Sequence, residues 1–259
     1  MQYIFLSHDI EWHKQGPSIE HILERKDRFD KRDISDLISN KPYYCIPEYI
    51  ELEEKFNVKS TFFFRTLYEK GDFRDYKNDI SELLQGGWEV GLHLDPLSVY
   101  DLEKIKKEKY DLETITKTKI LSNRVHYLNF VNDLPRKLKE LGFVYDSSIR
   151  KTKTEITVED MGYKKIDGII EFPVTLMDAY LISAMKIPEN KLISVIENTL
   201  NIGRKIDADF NVITLLWHGE VLKMRGGRIY PDILEFLTSQ EDVKIVRGID
   251  LVEKMGIGL

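Results

Sequence analysis

Short apolar runs alternate along this chain with longer segments in which apolar residues recur at helical spacing. Each run is long enough for a strand that is buried on both faces, and the segments between runs are long enough to cross back over a sheet. This alternation is typical of parallel strands covered by helices, and it predicts an α/β fold. The candidate strands are Tyr3–Leu6, Ser60–Phe64, Glu89–Leu92, Ile169–Phe172, Val212–Leu216 and Val243–Val246.

The segments between the runs carry helix signals at their ends. Asp133 stands two residues before Pro135, and Gly142 follows the last apolar position, so this segment has both a start and a stop signal. Gly86 and Gly87 end another segment in the same way. The predicted helices are Ile46–Phe56, Asp79–Leu84, Asp133–Leu141, Pro188–Ile202 and Asp232–Leu237.

Two segments are rich in charge. Lys14–Asn40 has few strong apolar positions, and we expect a long loop with a helix in it that folds over a site or packs on a partner. Asp101–Thr118 mixes lysines with acids, which is typical of a solvated helix face.

Length, charge and cysteine content limit the function classes. With 259 residues, 42% of them hydrophobic, and no linker, we expect one domain over residues 1–259. A net charge of −6 argues against a nucleic-acid partner. The single cysteine, Cys45, excludes an intrachain disulfide and a thiolate cluster, so a metal would take N and O ligands. No run reaches the roughly 18 apolar residues of a membrane span. The first residues lack the basic start and long apolar centre of a secretory signal, so we expect a cytoplasmic protein.

Ionisable residues cluster directly after the first apolar run. Asp9 and Glu11 are two positions apart, so in an extended strand both carboxylates point to one side and His8 points to the other. Two carboxylates on one face repel each other unless a cation lies between them or one holds a proton. The pair therefore indicates a metal ligand beside a general base.

Three further runs end in polar residues of the same kind. His93 follows an apolar run and is a good nitrogen ligand for Zn²⁺, with Asp95 on the same face. Arg124 can orient a carboxylate or bind an anionic substrate group, and His126, on its face, is a candidate third ligand. His218 ends a fourth run, where acid–base chemistry fits. In parallel sheets and barrels, such carboxyl-end rims bind ligands.

In their order along the chain, these segments resemble the motifs of polysaccharide deacetylases of the NodB-homology group, carbohydrate esterase family four in the broad sense. That family runs through Thr-Phe-Asp-Asp, Ala-Thr-Phe-Phe, Glu-Ile-Gly-x-His, Arg-x-Pro, a Gly-Tyr then Asp segment, and Leu-x-His. The resemblance extends from residue 4 to about residue 220. The corresponding segments are Leu6-Ser-His-Asp9, Ser60-Thr61-Phe62-Phe63, Glu89-Val-Gly-Leu-His93, Arg124-Val-His126, Gly142-Phe-Val-Tyr-Asp146 and Leu216-Trp-His218.

The chain departs from the family pattern at two metal positions. Ile10 stands where the family has a metal-binding Asp directly after the base, and Glu11 is the substitute that the resemblance offers. Leu97 stands where the family has its second His, and His126 would restore the set. A branch found with surface-polysaccharide genes resembles the chain more closely, with a Pro-Leu-x-Met-Asp motif that is similar to Pro173–Asp178.

The resemblance implies a distorted (β/α) barrel and the metal-dependent hydrolysis of an N-acetyl or related amide on a sugar. Zn²⁺, or another divalent transition metal, is the implied cofactor, and a saccharide or small amide is the implied substrate. The assignments are Asp9 as general base, His218 as general acid, Arg124 as the partner that keeps Asp9 charged, Glu11, His93 and His126 as metal ligands, and Trp217, Tyr127, Asp95 and Arg65 as substrate contacts.

Other interpretations remain open from the sequence. A relative acting on a small cyclic amide or ureide would share these motifs, and the altered ligand set also fits a catalytically silent barrel that binds a saccharide or a protein partner. His8 and Asp95 are the reserve ligands if one assignment is wrong. The sequence leaves the oligomeric state open.

Overall fold

A computed structural model describes residues 1–24, 43–206, 208 and 210–256 of the chain. The strands are β1 (Gln2–Ile10), β2 (Thr61–Phe64), β3 (Glu89–Leu94), β4 (Ser122–Val125), β5 (Tyr145–Asp146), β6 (Lys164–Ile166), β7 (Ile169–Glu171), β8 (Val174–Met177), β9 (Asn211–Leu216) and β10 (Val243–Val246). The helices are α1 (Ile19–Glu24), α2 (Ile46–Lys55), α3 (Lys77–Gln85), α4 (Leu102–Thr116), α5 (Leu134–Glu140), α6 (Leu192–Gly203), α7 (Tyr230–Thr238) and α8 (Gly248–Lys254).

The strands form one ten-stranded sheet in the order β6-β7-β5-β4-β3-β2-β1-β9-β8, with β10 paired to the first half of β1. Every pairing is parallel except that of β6 with β7. Only Phe172 and Pro173 separate β7 from β8, yet β7 pairs with β5 and β8 pairs with β9. This stretch therefore joins the two halves of the sheet, which curls into a distorted barrel. The predicted fold is confirmed.

Each predicted strand lies in this sheet, and each predicted helix overlaps an observed one. The helix in Pro188–Ile202 begins later, at Leu192, after a short 3-10 turn. The charged segment Asp101–Thr118 is also helical, with the Asp101 side chain accepting backbone N–H groups at the start of α4. The predicted helix within Lys14–Asn40 corresponds to α1 at 19–24, and residues 25–42 lie outside the described residues.

Alternate residues of β1 lie in two different parts of the core. Ile4 and Leu6 pack with the helices, whereas Phe5 packs with residues from other strands inside the barrel. Because side chains alternate along a strand, Asp9 shares the inner face with Phe5, and His8 shares the outer face with Leu6. The ionisable cluster of β1 is thus divided between the inside of the barrel and the layer under the helices.

Helix α8 packs against the inner cluster through Leu251 and Val252. Its first residue, Gly248, lies so close to Tyr145 that an added Cβ would be 2.2 Å from the phenol oxygen, so glycine is required there. Within the described ranges, no helix combines the length and the apolar character needed to cross a membrane.

Candidate functional site

Parallel pairing brings the carboxyl ends of four strands together on the inner face. The end of β1 carries Asp9, and β3 and β4 are paired so that His93 is opposite Arg124. The chain after β4 adds His126, and the chain after β9 adds His218. Residues that are far apart in the sequence therefore meet at one end of the barrel, as expected for a parallel sheet.

Glu11, His93 and His126 each present one ligand atom to a common point, and these three atoms lie within 4.8 Å of one another. The His126 Nδ1 is 3.2 Å from the His93 Nε2 and 3.4 Å from the Glu11 Oε1. Among the described residues, this is the one group of three or more such side chains with metal-ligand spacing. The predicted ligand set is brought together in space.

The chemistry of the three donors fits a divalent transition metal. The His93 Nδ1 is 3.0 Å from the Arg124 carbonyl oxygen, which favours Nδ1–H as the donor and leaves the Nε2 lone pair facing His126. Burial lowers the pKa of His93 to about 3, so this imidazole is neutral, as a metal ligand must be. Two imidazoles and one carboxylate form the donor set of many catalytic zinc sites.

The turn that carries His126 has an unusual backbone. Tyr127 and Leu128, directly after it, have φ values of 62° and 54°, in the left-handed region that side-chain-bearing residues seldom adopt. The turn places the Tyr127 ring against His126, with 3.8 Å between ring centroids and a tilt of 39° between the rings, and leaves Tyr127 70% exposed. Strained backbone of this kind is concentrated at functional sites.

Asp9 is paired with a fully buried arginine. The Arg124 Nη1 donates to the Asp9 Oδ1 over 2.9 Å, and its other nitrogens donate to Ser147. Burial by itself would raise the pKa of Asp9, but the Arg124 guanidinium and the His218 imidazole outweigh it and hold that pKa below its usual value. Asp9 is therefore an ionised carboxylate, and its second oxygen lies 3.8 Å from the His93 Nε2.

His218 lies near the same Glu11 oxygen as His126. Its Nδ1 lies 2.5 Å from the Asp178 Oδ1, and its Nε2 is 3.3 Å from the Glu11 Oε1. Burial would lower the pKa of His218, but the Asp178 and Glu11 carboxylates raise it well above its usual value. The ring is therefore a proton donor held in a fixed orientation.

A cavity of about 370 Å³ is lined by Asp9, Glu11 and His218, whereas His93 and His126 lie beside it and do not line it. One wall is the π-helical turn Tyr180–Ala184, a local geometry that is frequent at functional sites. The cavity is lined by Asp9, Glu11, Val125, Tyr127, Leu128, Lys153, Met177, Ala179, Tyr180, Ser183, Ala184 and His218. The volume is at the lower end of the range of about 300–1,000 Å³ that is usual for ligand pockets.

Three predicted substrate contacts lie elsewhere. Trp217 is fully buried in the core and does not line the cavity, so its interpretation as a substrate contact is corrected to a packing role. Asp95 accepts the Leu97 backbone N–H and a 3.3 Å bond from Arg65, and neither charged side chain lines the cavity. These two residues join neighbouring loops, because Arg65 also donates to the Glu11 carbonyl oxygen.

The reserve ligand His8 faces away from the site. It lies under the helices, 2.8 Å from the Glu53 Oε1 and 2.7 Å from the Trp217 carbonyl oxygen. Asp178 and Glu220 are two further residues of this region that were not among the predicted site residues. Asp178 stands at the end of the Pro-Leu-x-Met-Asp-like segment, which is the sequence signal for it. The Glu220 carboxylate accepts the Glu11 and Trp12 backbone N–H groups.

No family model matches the chain, and no curated protein matches it by sequence. Solved structures do match it. A probable polysaccharide deacetylase from Pseudomonas aeruginosa PAO1 has a TM-score of 0.70 at 11% identity, covering 100% of this chain and 93% of that one. A PuuE allantoinase has a TM-score of 0.71 at 12% identity, covering 100% and 92%. A CE4 family pseudoenzyme from Bacillus anthracis has a TM-score of 0.53 at 12% identity, covering 96% and 65%.

At these identities the likeness establishes the fold. The chain has the fold of the NodB-type polysaccharide deacetylases, as the order of its motifs indicated. The fold is shared by proteins described as deacetylases, as an allantoinase and as a pseudoenzyme, so the function has to be argued from the site itself.

Proposed function

We propose that the chain is a metal-dependent hydrolase of a non-peptide C–N bond that removes the acetyl group from an acetylated amino sugar. The observation that carries this proposal is the convergence of Glu11, His93 and His126 within 4.8 Å, beside the Asp9–Arg124 pair and His218. A ligand set, an ionised carboxylate and a protonated imidazole at one cavity are the groups that amide hydrolysis requires.

Glu11, His93 and His126 would hold Zn²⁺ or a similar ion, which when bound supplies a Lewis acid that polarises the amide carbonyl and makes water more acidic. Asp9 accepts the proton of the attacking water, because Arg124 keeps its carboxylate charged. His218 donates a proton to the leaving amine nitrogen, and Asp178 keeps the ring in the orientation for this transfer. Tyr127 offers its exposed ring to the face of the sugar.

The proposed setting is the cytoplasm, and the proposed partner is a saccharide precursor of small size. The cavity of about 370 Å³ supports a substrate of about one sugar unit better than an assembled polymer.

Metal analysis of the purified protein tests the ligand set. We expect about one zinc or similar ion per chain in the wild type and its loss in His93→Ala and Glu11→Ala, because either change removes one of only three protein donors. His13→Ala is the matched control, since His13 contacts Gln15 outside the cavity and its loss should leave the metal content unchanged. A metal-free wild type after incubation with zinc would contradict the proposal.

Asp9→Asn tests the base separately from the metal. The variant should retain its metal and lose roughly 10²- to 10⁴-fold in acetate release from acetylated amino sugars, since the amide cannot accept the proton. Unchanged turnover would remove Asp9 as the base. Bound metal without hydrolysis of any acetylated sugar or cyclic amide by the wild type would instead favour a catalytically silent barrel.

Hydrolysis of a small cyclic amide or ureide is the second candidate. The modest cavity favours it, and the likeness to an allantoinase supports it at the level of the fold. The same variants apply, with ring opening measured in place of acetate release.

A further inference from the structure

One wall of the cavity carries a lysine with no acidic partner. Lys153 is exposed and lines the same cavity as Asp9 and His218. Its ammonium lies 5.6 Å from the Tyr180 ring centroid, and no carboxylate of the described residues lies within 4.0 Å of it. Lys151, two residues earlier, is by contrast paired with Glu159 on the exterior.

A second positive charge lies near the same tyrosine. The Arg150 guanidinium is 5.3 Å from the Tyr180 ring centroid. It donates only to backbone carbonyl oxygens, including those of Val174 and Thr175, and these neutral groups satisfy its hydrogen bonds without cancelling its charge. The buried Asp160 carboxylate lies near enough to interact with Arg150, and Arg150 does not line the cavity. Lys153 is therefore the cation on the Tyr180 side of the cavity that no carboxylate of the described residues pairs within 4.0 Å.

The loop that presents Lys153 is held in place. The Thr152 hydroxyl accepts the Thr154 backbone N–H over 3.2 Å, and the Arg150 Nε donates to the Thr152 carbonyl oxygen over 2.6 Å. The backbone on both sides of Lys153 is thus held at the cavity wall. A bound anion would therefore contact the ammonium of a residue whose main chain is already in position.

The charged side chains at the deep end of the cavity have partners. Asp9 is paired with Arg124, and the His218 ring lies against the Asp178 carboxylate. The Glu11 carboxylate would face a bound divalent cation. A substrate that spans the cavity would therefore meet paired side chains and the metal site at one end, and an ammonium without an acidic partner at the other.

We propose that Lys153 binds a negatively charged group of the substrate, a carboxylate or a phosphate. This inference rests on the proposed deacetylase function and narrows its substrate class to anionic acetylated amino sugars. The lysine ammonium is a compact point charge that can pair with a carboxylate or with a phosphate. Both groups present negatively charged oxygen atoms, and this is the chemistry that the proposed contact recognises.

The test compares three substrates of one sugar: N-acetylglucosamine, its 1-phosphate and the corresponding N-acetylaminouronic acid. The wild type should prefer an anionic substrate by about tenfold or more in kcat/KM, the range expected for a hydrogen bond to a charged group. Lys153→Met should abolish that preference, mainly through a raised KM for the anionic substrates, so that the ratio of kcat/KM between the anionic and the neutral sugar falls toward unity. Lys151→Met, which removes the paired lysine outside the cavity, is the matched control and should retain the preference.

The two anionic substrates distinguish the two kinds of negatively charged group. Preference for the 1-phosphate identifies a sugar phosphate as the substrate, and preference for the uronic acid identifies a sugar that carries a carboxylate. Equal kcat/KM for all three substrates, or a preference that survives Lys153→Met, overturns the inference while the deacetylase stands. If the wild type hydrolyses none of them, the proposed function fails, and calorimetric binding of the 1-phosphate and the uronic acid decides the inference by itself. A dissociation constant raised about tenfold in Lys153→Met supports it, and an unchanged constant, or no binding of either anion, overturns it.

Discussion

Replacing Glu53 by Ala tests the layer that supports the strands of the candidate site from outside the barrel. The buried Glu53 carboxylate accepts hydrogen bonds from Ser60, Trp88 and Tyr230 and lies 2.8 Å from the His8 Nε2. His8 in turn contacts the carbonyl oxygen of the residue before His218. The network is fully enclosed, so its groups have no access to water when the acceptor is removed.

The expected cost follows from the number of groups left unpaired. Each buried group without a partner costs about 1–3 kcal/mol, which for four groups gives roughly 4–12 kcal/mol if none finds a new partner. Relaxation and entry of water lower this cost, and the removal of one member of a buried charged pair usually costs about 3–5 kcal/mol. We expect Glu53→Ala to lose about 3–5 kcal/mol of unfolding free energy, or roughly 6–20 °C in Tm at about 2–4 °C per kcal/mol.

Urea unfolding followed by circular dichroism measures this change. Glu54→Ala is the matched control, because Glu54 is the adjacent residue of α2, its side chain is 59% exposed, and its 3.8 Å contact with Lys59 contributes little. Glu53→Gln, which keeps the shape and one acceptor, should lose less than Glu53→Ala and remains measurable if the alanine variant fails to fold. Equal stability of Glu53→Ala and Glu54→Ala would refute the reasoning.

Three further predictions concern other buried groups. Burial and the neighbouring Asp146 raise the pKa of Glu171 well above its usual value, so wild-type stability should fall as pH rises above the ordinary carboxyl pKa. Glu171→Gln mimics the protonated form and should flatten this fall in unfolding titrations from pH 4 to 8. Parallel stability profiles of the variant and the wild type would contradict the prediction. Burial raises the pKa of the Cys45 thiol to about 12, so the thiolate fraction at pH 8 is about one in 10,000. A thiol reagent should therefore label Cys45 only after unfolding, and rapid labelling of the native chain would disprove this. Asp178→Asn should lower kcat by about tenfold or more at unchanged metal content, because His218 loses the anion that orients it. An unaltered kcat would exclude the orienting role of Asp178.

Several features of the structure had sequence signals that went unused. The Asp167-Gly168 pair, with φ values of 47° and 84°, forms the tight turn between β6 and β7, and Asp-Gly is a strong hairpin signal. Strand β1 extends to Ile10, although the apolar run ends at Leu6, because buried polar side chains continue it into the site. Hydrophobic periodicity underestimates a strand whose functional end is polar.

Other features had no signal in the sequence. Trp217 and Tyr127 are both aromatic residues beside a predicted site histidine, yet one is fully buried and the other is 70% exposed. The difference depends on the turn after β4, where two residues adopt positive φ, and on helices that cover the residue before His218. Neither the turn nor the covering helices can be read from the residue type at Tyr127 or Trp217.

By itself, the sequence determined the parallel α/β class, the side-chain chemistry that is present and the alternation that places Asp9 and Glu11 opposite His8, because these depend on local composition and on the period of two in a strand. Only the tertiary structure decided which side of β1 faces the barrel interior, and hence that His93 and His126 join Glu11 while His8 joins Glu53. The physical reason is that the alternation along a strand shows which residues share a face, but not which face lies inside the barrel. The curvature of the sheet and the helices that pack on it decide which face is inside. The pairing of His218 with Asp178 likewise arises where β8 and β9 lie side by side.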